Sequence, residues 1–585
     1  MNRIFHLAII LILIGSCDKQ EIKNQPNIIL IVTDDQGWGD LSFNGNTNLH
    51  TPNIDKLAEN GVSFDRFYVC PVCSPTRGEI LTGRYHLRGG VYSTSAGGER
   101  LDLDETTIAE IFKQAGYSTA AYGKWHNGMQ APYHPNARGF DDFYGFCSGH
   151  WGNYFDPVLE HNGEIVKGNG FIIDDLTNRA IDFIGKNRNN PFFLYLPYNT
   201  PHSPMQVPER FWKKFEDKKL EMVYQGEQNE NINFTKAALA MCENIDWNVG
   251  RITKAIDSQN LSENTIIIYM SDNGPNGWRW NGEMKGRKGS TDEGGVRSPL
   301  FIKWEGNIKP GTVQQISGAI DLLPTLTSLT TIDFNPEKEL DGIDLSEHIL
   351  KDNNKISNRL IFSHWGNRTS VRNQQFRLDN NDKLFDMQND PGQTKDVSKL
   401  FIDIKEKMVL AKSNWENIVL SELPKIDTRS FPIGHPEFVF TQVPARDGQA
   451  HGNIQRSNRY PNCSFFTNWI STEDKITWDA EVLADGDFEV ILYYTCSEQD
   501  IGSTFELSFG NEKLIAQITK ANNPPLIGME NDRDPRIESY VKDFKPMKMG
   551  TIHLSKGKGE LDLKATKITG SHVMDFRMLI LKRVE

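Results

Sequence analysis

Residues 27–33 read NIILIVT, an unbroken apolar stretch rich in β-branched side chains. Such a run cannot alternate between a wet and a dry face. It suits a strand buried on both sides, as in a parallel sheet covered by helices. It ends in Asp34-Asp35, and two further runs share the pattern. Residues 191–197 (PFFLYLP) end close to His202, and residues 265–270 (TIIIYM) end in Ser271-Asp272-Asn273-Gly274. Segments of helical period, including residues 104–115 and 235–256, lie between the runs. Strands alternating with helices predict a layered α/β domain with a large, mostly parallel sheet. In such sheets ligands bind beyond the carboxyl ends of the strands. Asp and Asn are also ordinary turn formers, but here all three runs end in groups that hold metals or move protons.

A chain of 585 residues exceeds one hydrophobic core, so several domains are expected. The α/β pattern covers residues 26–345. Residues 346–425 read as a small α+β subdomain, with short strands over 359–396 and a helix over 402–419. Residues 426–462, rich in Pro, Gly and polar residues, read as a linker. Seven alternating segments within residues 463–585 predict a β-sandwich, a candidate carbohydrate-binding module. The formal charge of -13 supplies no general field for polyanions, so nucleic acid is not expected as a partner. An anionic substrate must be held by a few local cations.

Residues 1–17 read as a leader: a short positive start, then an apolar run too short to span a bilayer as a mature helix. Ile14-Gly15-Ser16-Cys17 resembles a bacterial lipobox, which implies lipidation of Cys17. The expected location is therefore the periplasm or surface of a Gram-negative cell, held by a lipid anchor. Ordinary cleavage near the same place is the alternative. The six other cysteines are irregularly spaced, and Cys70 and Cys73 have no second CxxC to complete a metal ribbon.

Cys73-Ser74-Pro75-Thr76-Arg77, followed by Gly78 and Leu81-Thr82-Gly83-Arg84, resembles the signature of the formylglycine-dependent sulfatases of the alkaline phosphatase superfamily. The resemblance extends in order over NIILIVTDDQGWGD, TPNIDKLAENGVSF, GYSTAAYGKWHNG, NTPHSP, SDNGPNG and GRKGSTDEGGVRSP. It implies an alkaline-phosphatase-like fold and conversion of Cys73 to formylglycine (3-oxoalanine) by a formylglycine-generating enzyme. The implied activity is sulfate ester hydrolysis by the hydrated aldehyde.

The residue chemistry fits that implication. Asp34, Asp35, Asp272 and Asn273 offer hard oxygens suited to calcium, and the resemblance adds the modified Cys73 as a further ligand. Arg77, four residues after Cys73, shares its face on a helix starting there. In an extended segment Lys124 and His126 project to one side. The resemblance makes Lys124 and Lys288 sulfate clamps, with Lys285 and Arg287 close enough to leave the register open. It makes His126 the base that releases sulfate and His202 the acid for the leaving alcohol. His150, Trp151, Arg279, Trp280 and His364 are candidate sugar contacts, although packing roles suit them equally. The expected substrate is a sulfated algal polysaccharide of the ulvan, carrageenan or fucan class. The alternatives are a glycosaminoglycan sulfatase, a phosphonate or phosphate ester hydrolase, and a non-enzymatic carbohydrate-binding lipoprotein.

Overall fold

The computed structural model describes residues 25–351, 356–536, 538 and 540–584. The leader and Cys17 lie outside the described residues. The principal sheet has ten strands: β1 (Asn27–Asp34), β2 (Val62–Phe64), β3 (Ser118–Lys124), β4 (Asp142–Phe146), β5 (Val158–His161), β6 (Glu164–Lys167), β7 (Phe192–Pro201), β8 (Thr265–Ser271), β9 (Leu300–Trp304) and β10 (Gly311–Val313). Their order across the sheet is β10-β2-β9-β8-β1-β7-β3-β4-β5-β6. The central strands β8, β1, β7, β3 and β4 are parallel, while β9, β5 and β6 join in antiparallel pairings.

β1 sits at the centre because both of its faces are apolar. Ile29 and Ile31 enter one core, with α2 (Ile172–Lys186) and α3 (Ile232–Ser258). Ile28, Leu30 and Val32 enter the opposite core, with Ile80 and Leu81 of α1 (Cys73–Thr82). Parallel register then brings the ends of β1, β7, β8 and β3 to one edge of the sheet. Gly123 near the end of β3 has φ of +139°, and a Cβ there would lie 2.1 Å from the Pro197 carbonyl oxygen. Only glycine lets these two strands approach so closely.

The expected helix over residues 104–115 begins later, at Ile108. Thr107 and Glu110 form a capping box, in which the Glu110 N–H donates to Thr107 Oγ1 (3.2 Å) and the Thr107 N–H to Glu110 Oε2 (2.6 Å). The α+β subdomain has four antiparallel strands, Ile361–Trp365, Arg368–Arg372, Phe376–Leu378 and Leu384–Asp386, beside the helix Ile402–Val419.

The C-terminal region is a two-sheet sandwich around one core that includes Trp478, Phe488, Leu507 and Leu581. Residues 426–462 are part of it, contrary to the linker expectation. Phe431–Ile433 pairs in parallel with Lys475–Val482, to which Gln449–His451 also pairs, and Phe440–Pro444 pairs with Asp575–Val584. These strands are three to five residues long. Alternation has too little length to show between turns that short.

The same region fastens the sandwich to the α/β domain. Buried Arg446 pairs with buried Glu99 and donates to Ser148 Oγ (3.2 Å). Removing one partner of a buried ion pair strands the other charge. Arg446→Ala should therefore lower unfolding stability by about 3–5 kcal/mol, measured by denaturant unfolding. An unchanged midpoint and slope would show that this pair does not hold the two parts together.

Candidate active site

Cys73 is the first residue of α1, and all ten residues of that helix are buried. Two side chains of its first turns lock it onto the sheet edge. Thr76 Oγ1 accepts from the Cys70 N–H (2.9 Å) and donates to the Asp272 carbonyl (2.6 Å). Arg77 places Nη2 and Nε on Asp272 Oδ2 (2.7 and 3.1 Å) and Nη1 on the Lys124 carbonyl (2.6 Å). One guanidinium thus fixes the ends of β8 and β3 relative to Cys73.

The carboxylates come from strand ends. Asp34 closes β1, Asp35 follows it at φ +68°, and Asp272 and Asn273 follow β8. A left-handed φ at a non-glycine residue is strain that the surrounding contacts must sustain. Lys124 Nζ contacts Asp34 Oδ2 and Lys288 Nζ contacts Asp35 Oδ1, each at 2.6 Å. Asn273 Nδ2 donates to Asp35 Oδ1 at 2.8 Å. The structure therefore brings Lys288 to the site. Lys285 lies instead over Phe385, and Arg287 over Trp278.

Three buried oxygens here have no hydrogen-bond partner among the described residues: Asp34 Oδ1, Asp35 Oδ2 and Asn273 Oδ1. Ligand atoms of Asp34, Cys73 and Asp272 lie within 4.8 Å of one another, and so do those of Asp34, Asp35 and His202. Burial and the adjacent Asp34 push the Asp272 carboxyl well above the ordinary carboxylate range. Burial works against the ionised forms of Asp34 and Asp35 as well, but Lys124 on one and Lys288 on the other hold both below their usual value. Unpartnered hard oxygens in a cluster of like charge fit a divalent cation. Such an ion would leave the pocket net positive, since three carboxylates otherwise face Arg77, Lys124 and Lys288.

The two histidines are anchored through opposite ring nitrogens. His126 Nε2 lies 2.8 Å from the Thr94 carbonyl, which can only accept, so Nε2 carries the hydrogen and Nδ1 is a free, unpartnered acceptor. Burial and the nearby Lys124 push this imidazole well below its usual value, so it is neutral near pH 7. His126 has φ of +66°. A Cβ on Gly149 would come within 2.2 Å of its Nε2, so the ring requires glycine there. His202 Nδ1 donates to the Ser203 carbonyl (2.7 Å), which leaves Nε2 facing Asp35 Oδ2 at 3.6 Å.

The family model described as Sulfatase matches residues 26–332, and Cys73, Arg77, Asp34, Asp35, Asp272, Asn273, Lys124, Lys288, His126 and His202 all lie within that span. The chain belongs to the sulfatase family. Sulfatases use a formylglycine and a divalent metal. The chain is 32% identical over 379 residues to the N-acetylgalactosamine-6-sulfatase of Mus musculus, covering 58% of this chain and 69% of that protein. It is 32% identical over 380 residues to the uncharacterized sulfatase YdeN of Escherichia coli (strain K12), covering 55% of this chain and 66% of that one. Among solved structures, Ps i-CgsB in complex with k-i-k-neocarrahexaose is 33% identical with a TM-score of 0.62, covering 67% of this chain and 92% of that chain.

The sulfatase site differs from the sequence expectation at its rim. Arg279 is buried, and its fork is used on Asp40 (2.6–3.0 Å) and the Asp35 carbonyl (3.0 Å). It braces the Asp35 turn and is not available to a sugar. His364 sits in the α+β subdomain, bonded to Thr369 Oγ1 (2.9 Å) and tilted against Trp415, and joins none of the catalytic groups. Trp280 lies over Gly39, and Trp151 stacks on Phe146. His150 does reach the site: it is buried, both ring nitrogens are unpartnered, and its ring lies 5.4 Å from that of His202. The braces Asp40, Thr94 and Gly149 carried no chemical signal in the sequence.

All six described cysteines are unbonded and buried. Burial and nearby Glu79 push the Cys70 thiol well above its usual value, so it stays protonated and unreactive. Cys73→Ala and Cys73→Ser should lose nearly all turnover of 4-nitrophenyl sulfate with an unchanged circular dichroism spectrum, while Cys70→Ser retains it. An inactive Cys70→Ser protein whose Cys73 is fully converted by mass spectrometry would place Cys70 in the catalytic machinery.

Proposed function

We propose that this sulfatase hydrolyses sulfate esters on an algal polysaccharide or its oligosaccharides, of the carrageenan class, using formylglycine at residue 73 and calcium. The convergence of Cys73, Asp34, Asp35, Asp272 and Asn273 with Arg77, Lys124, Lys288, His126 and His202 at one sheet edge carries the catalytic part of this reading. The likeness to Ps i-CgsB, solved with a neocarrahexaose, supports the substrate class. A glycosaminoglycan is the second reading, favoured by the similarity to the N-acetylgalactosamine-6-sulfatases. Sulfate release from a panel of defined sulfated oligosaccharides separates the two.

When bound, calcium held by Asp34, Asp35, Asp272 and Asn273 supplies polarisation of the sulfate oxygens. The hydrated aldehyde supplies an oxygen nucleophile. The chain's own residues bind, orient and move protons around these groups. Lys124 and Lys288 place ammonium groups beside the metal ligands, where they hold the sulfate oxygens and stabilise charge that builds on them. Arg77 keeps residue 73 aimed at the same point. His202, fixed through Nδ1, presents Nε2 to the leaving alcohol. His126, neutral with Nδ1 free, accepts a proton on the opposite errand, the release of sulfate.

Exhaustive chelation should abolish activity and added calcium should restore it. Restoration by zinc alone would contradict the hard-oxygen donor set.

If His202 is the general acid, its importance depends on the basicity of the leaving group. A nitrophenolate departs without a proton, whereas a sugar alkoxide does not. His202→Ala should lower kcat on a sulfated sugar by about a hundredfold or more, and by much less on 4-nitrophenyl sulfate. Equal losses on the two substrates would remove His202 from that role.

A further inference from the structure

The C-terminal sandwich extends one hairpin loop to the catalytic edge. Between the short paired strands Leu526–Ile527 and Val541–Lys542, its residues Gly528, Asp532, Arg533 and Glu538 dock on the residues that follow His202. Asp532 bridges to Gln206, the Arg533 N–H donates to the Met205 carbonyl (3.1 Å), and the Met205 N–H donates to Asp532 Oδ1 (3.2 Å). Gln206 Nε2 donates to the Gly528 carbonyl (2.8 Å), and Ser203 Oγ approaches Glu538 Oε2 (3.5 Å). This is a seat built from backbone and buried side-chain bonds.

Arg536 sits within that loop. One face of its guanidinium stacks on Tyr540, 4.1 Å from the ring centre. All three guanidinium nitrogens are buried, and none has a hydrogen-bond partner among the described residues. Its charge bears on His150, on Tyr154 and on Asp532. Asp532 is itself engaged by Tyr540 Oη (3.2 Å) and the Met205 N–H. His150 likewise has two unpartnered ring nitrogens, and it stands beside His202. A guanidinium and an imidazole whose nitrogens are buried and without hydrogen-bond partners among the described residues thus lie beside His202 and the segment that follows it. Lys124 and Lys288 lie on the metal side, against Asp34 and Asp35.

A buried guanidinium lacking an acceptor is unfavourable unless something fills its fork. The group that matches the fork is a planar or tetrahedral oxyanion, bound through two parallel N–H···O bonds. We propose that Arg536, supplied by the C-terminal module, binds a second anionic substituent of the substrate, a sulfate or a carboxylate, on the sugar that carries the leaving oxygen or on its neighbour, with His150 lining the same subsite. This inference rests on the carbohydrate sulfatase reading above and narrows it to substrates with more than one negative charge. It also makes the catalytic site incomplete without the sandwich.

The test uses the full chain with Cys73 converted, and measures kcat/KM on matched oligosaccharides that differ only in a second sulfate or a uronate carboxylate, with 4-nitrophenyl sulfate alongside. Losing a charge-assisted hydrogen-bond pair corresponds to a fall of about ten- to a hundredfold. Arg536→Ala should show that fall on the doubly anionic sugar, mainly through KM, and should fall at least about tenfold less on the singly sulfated sugar and on 4-nitrophenyl sulfate. Arg536→Lys should recover part of the loss, because it restores the charge without the fork. Whether the discrimination follows the second sulfate or the carboxylate identifies the group. Equal losses on all substrates, or no loss on any, would overturn the Arg536 subsite while leaving the carbohydrate reading standing. Turnover of 4-nitrophenyl sulfate with no sulfate released from any oligosaccharide would overturn both.

Discussion

The Arg77–Asp272 pair is the contact on which the rest of the site depends. It is fully buried and takes both Nε and Nη2 to one carboxylate oxygen. The remaining Nη1 binds the carbonyl of Lys124. Helix α1, the end of β8 and the end of β3 are far apart in sequence, and this one planar group sets their relative positions. A lysine could supply the charge but not the three-way geometry. Thr76, one residue earlier, repeats the connection through the Asp272 carbonyl, so α1 is held at two points one residue apart.

Around that pair the site concentrates like charge, which a protein interior resists. Asp34, Asp35 and Asp272 are all buried, and each is offset by a cation on a different element: Lys124 from β3, Lys288 from a loop and Arg77 from α1. The unpartnered oxygens that remain belong to one buried cluster of hard donors, which suits a divalent ion. Backbone strain at Asp35 and His126 belongs to the same construction. Both residues turn sharply at a strand end to point side chains that an extended chain would carry past the pocket. Arg279 and Asp40 brace one turn, and the Thr94 carbonyl with Gly149 confines the other.

The sandwich contributes in two ways that differ in strength of attachment. Arg446, with Glu99, Ser148 and Asn462, forms a buried polar joint close to the loop that orients His126. Asn462 Nδ2 also donates to the Thr94 carbonyl (3.2 Å), the same oxygen that receives His126 Nε2. The hairpin carrying Arg536 reaches the opposite histidine. The module therefore touches the surroundings of both His126 and His202.

The chain by itself determined the local parts of this protein. Continuous apolar runs specify strands buried on two faces, and the residues just beyond them are the ones that gather at one edge of the sheet. Spacing alone put Arg77 on the face of Cys73, because a helix turns every 3.6 residues. Strands at the C-terminus with enough length to alternate were legible, while those of residues 426–462 were too short to show a period. Only the tertiary structure decided which of Lys285, Arg287 and Lys288 meets Asp35, that Arg279 is consumed by Asp40, that His364 stays remote, and that Arg536 arrives from a separate module. Those outcomes depend on contacts between residues tens to hundreds of positions apart, and sequence periodicity carries information only over a few turns of one element.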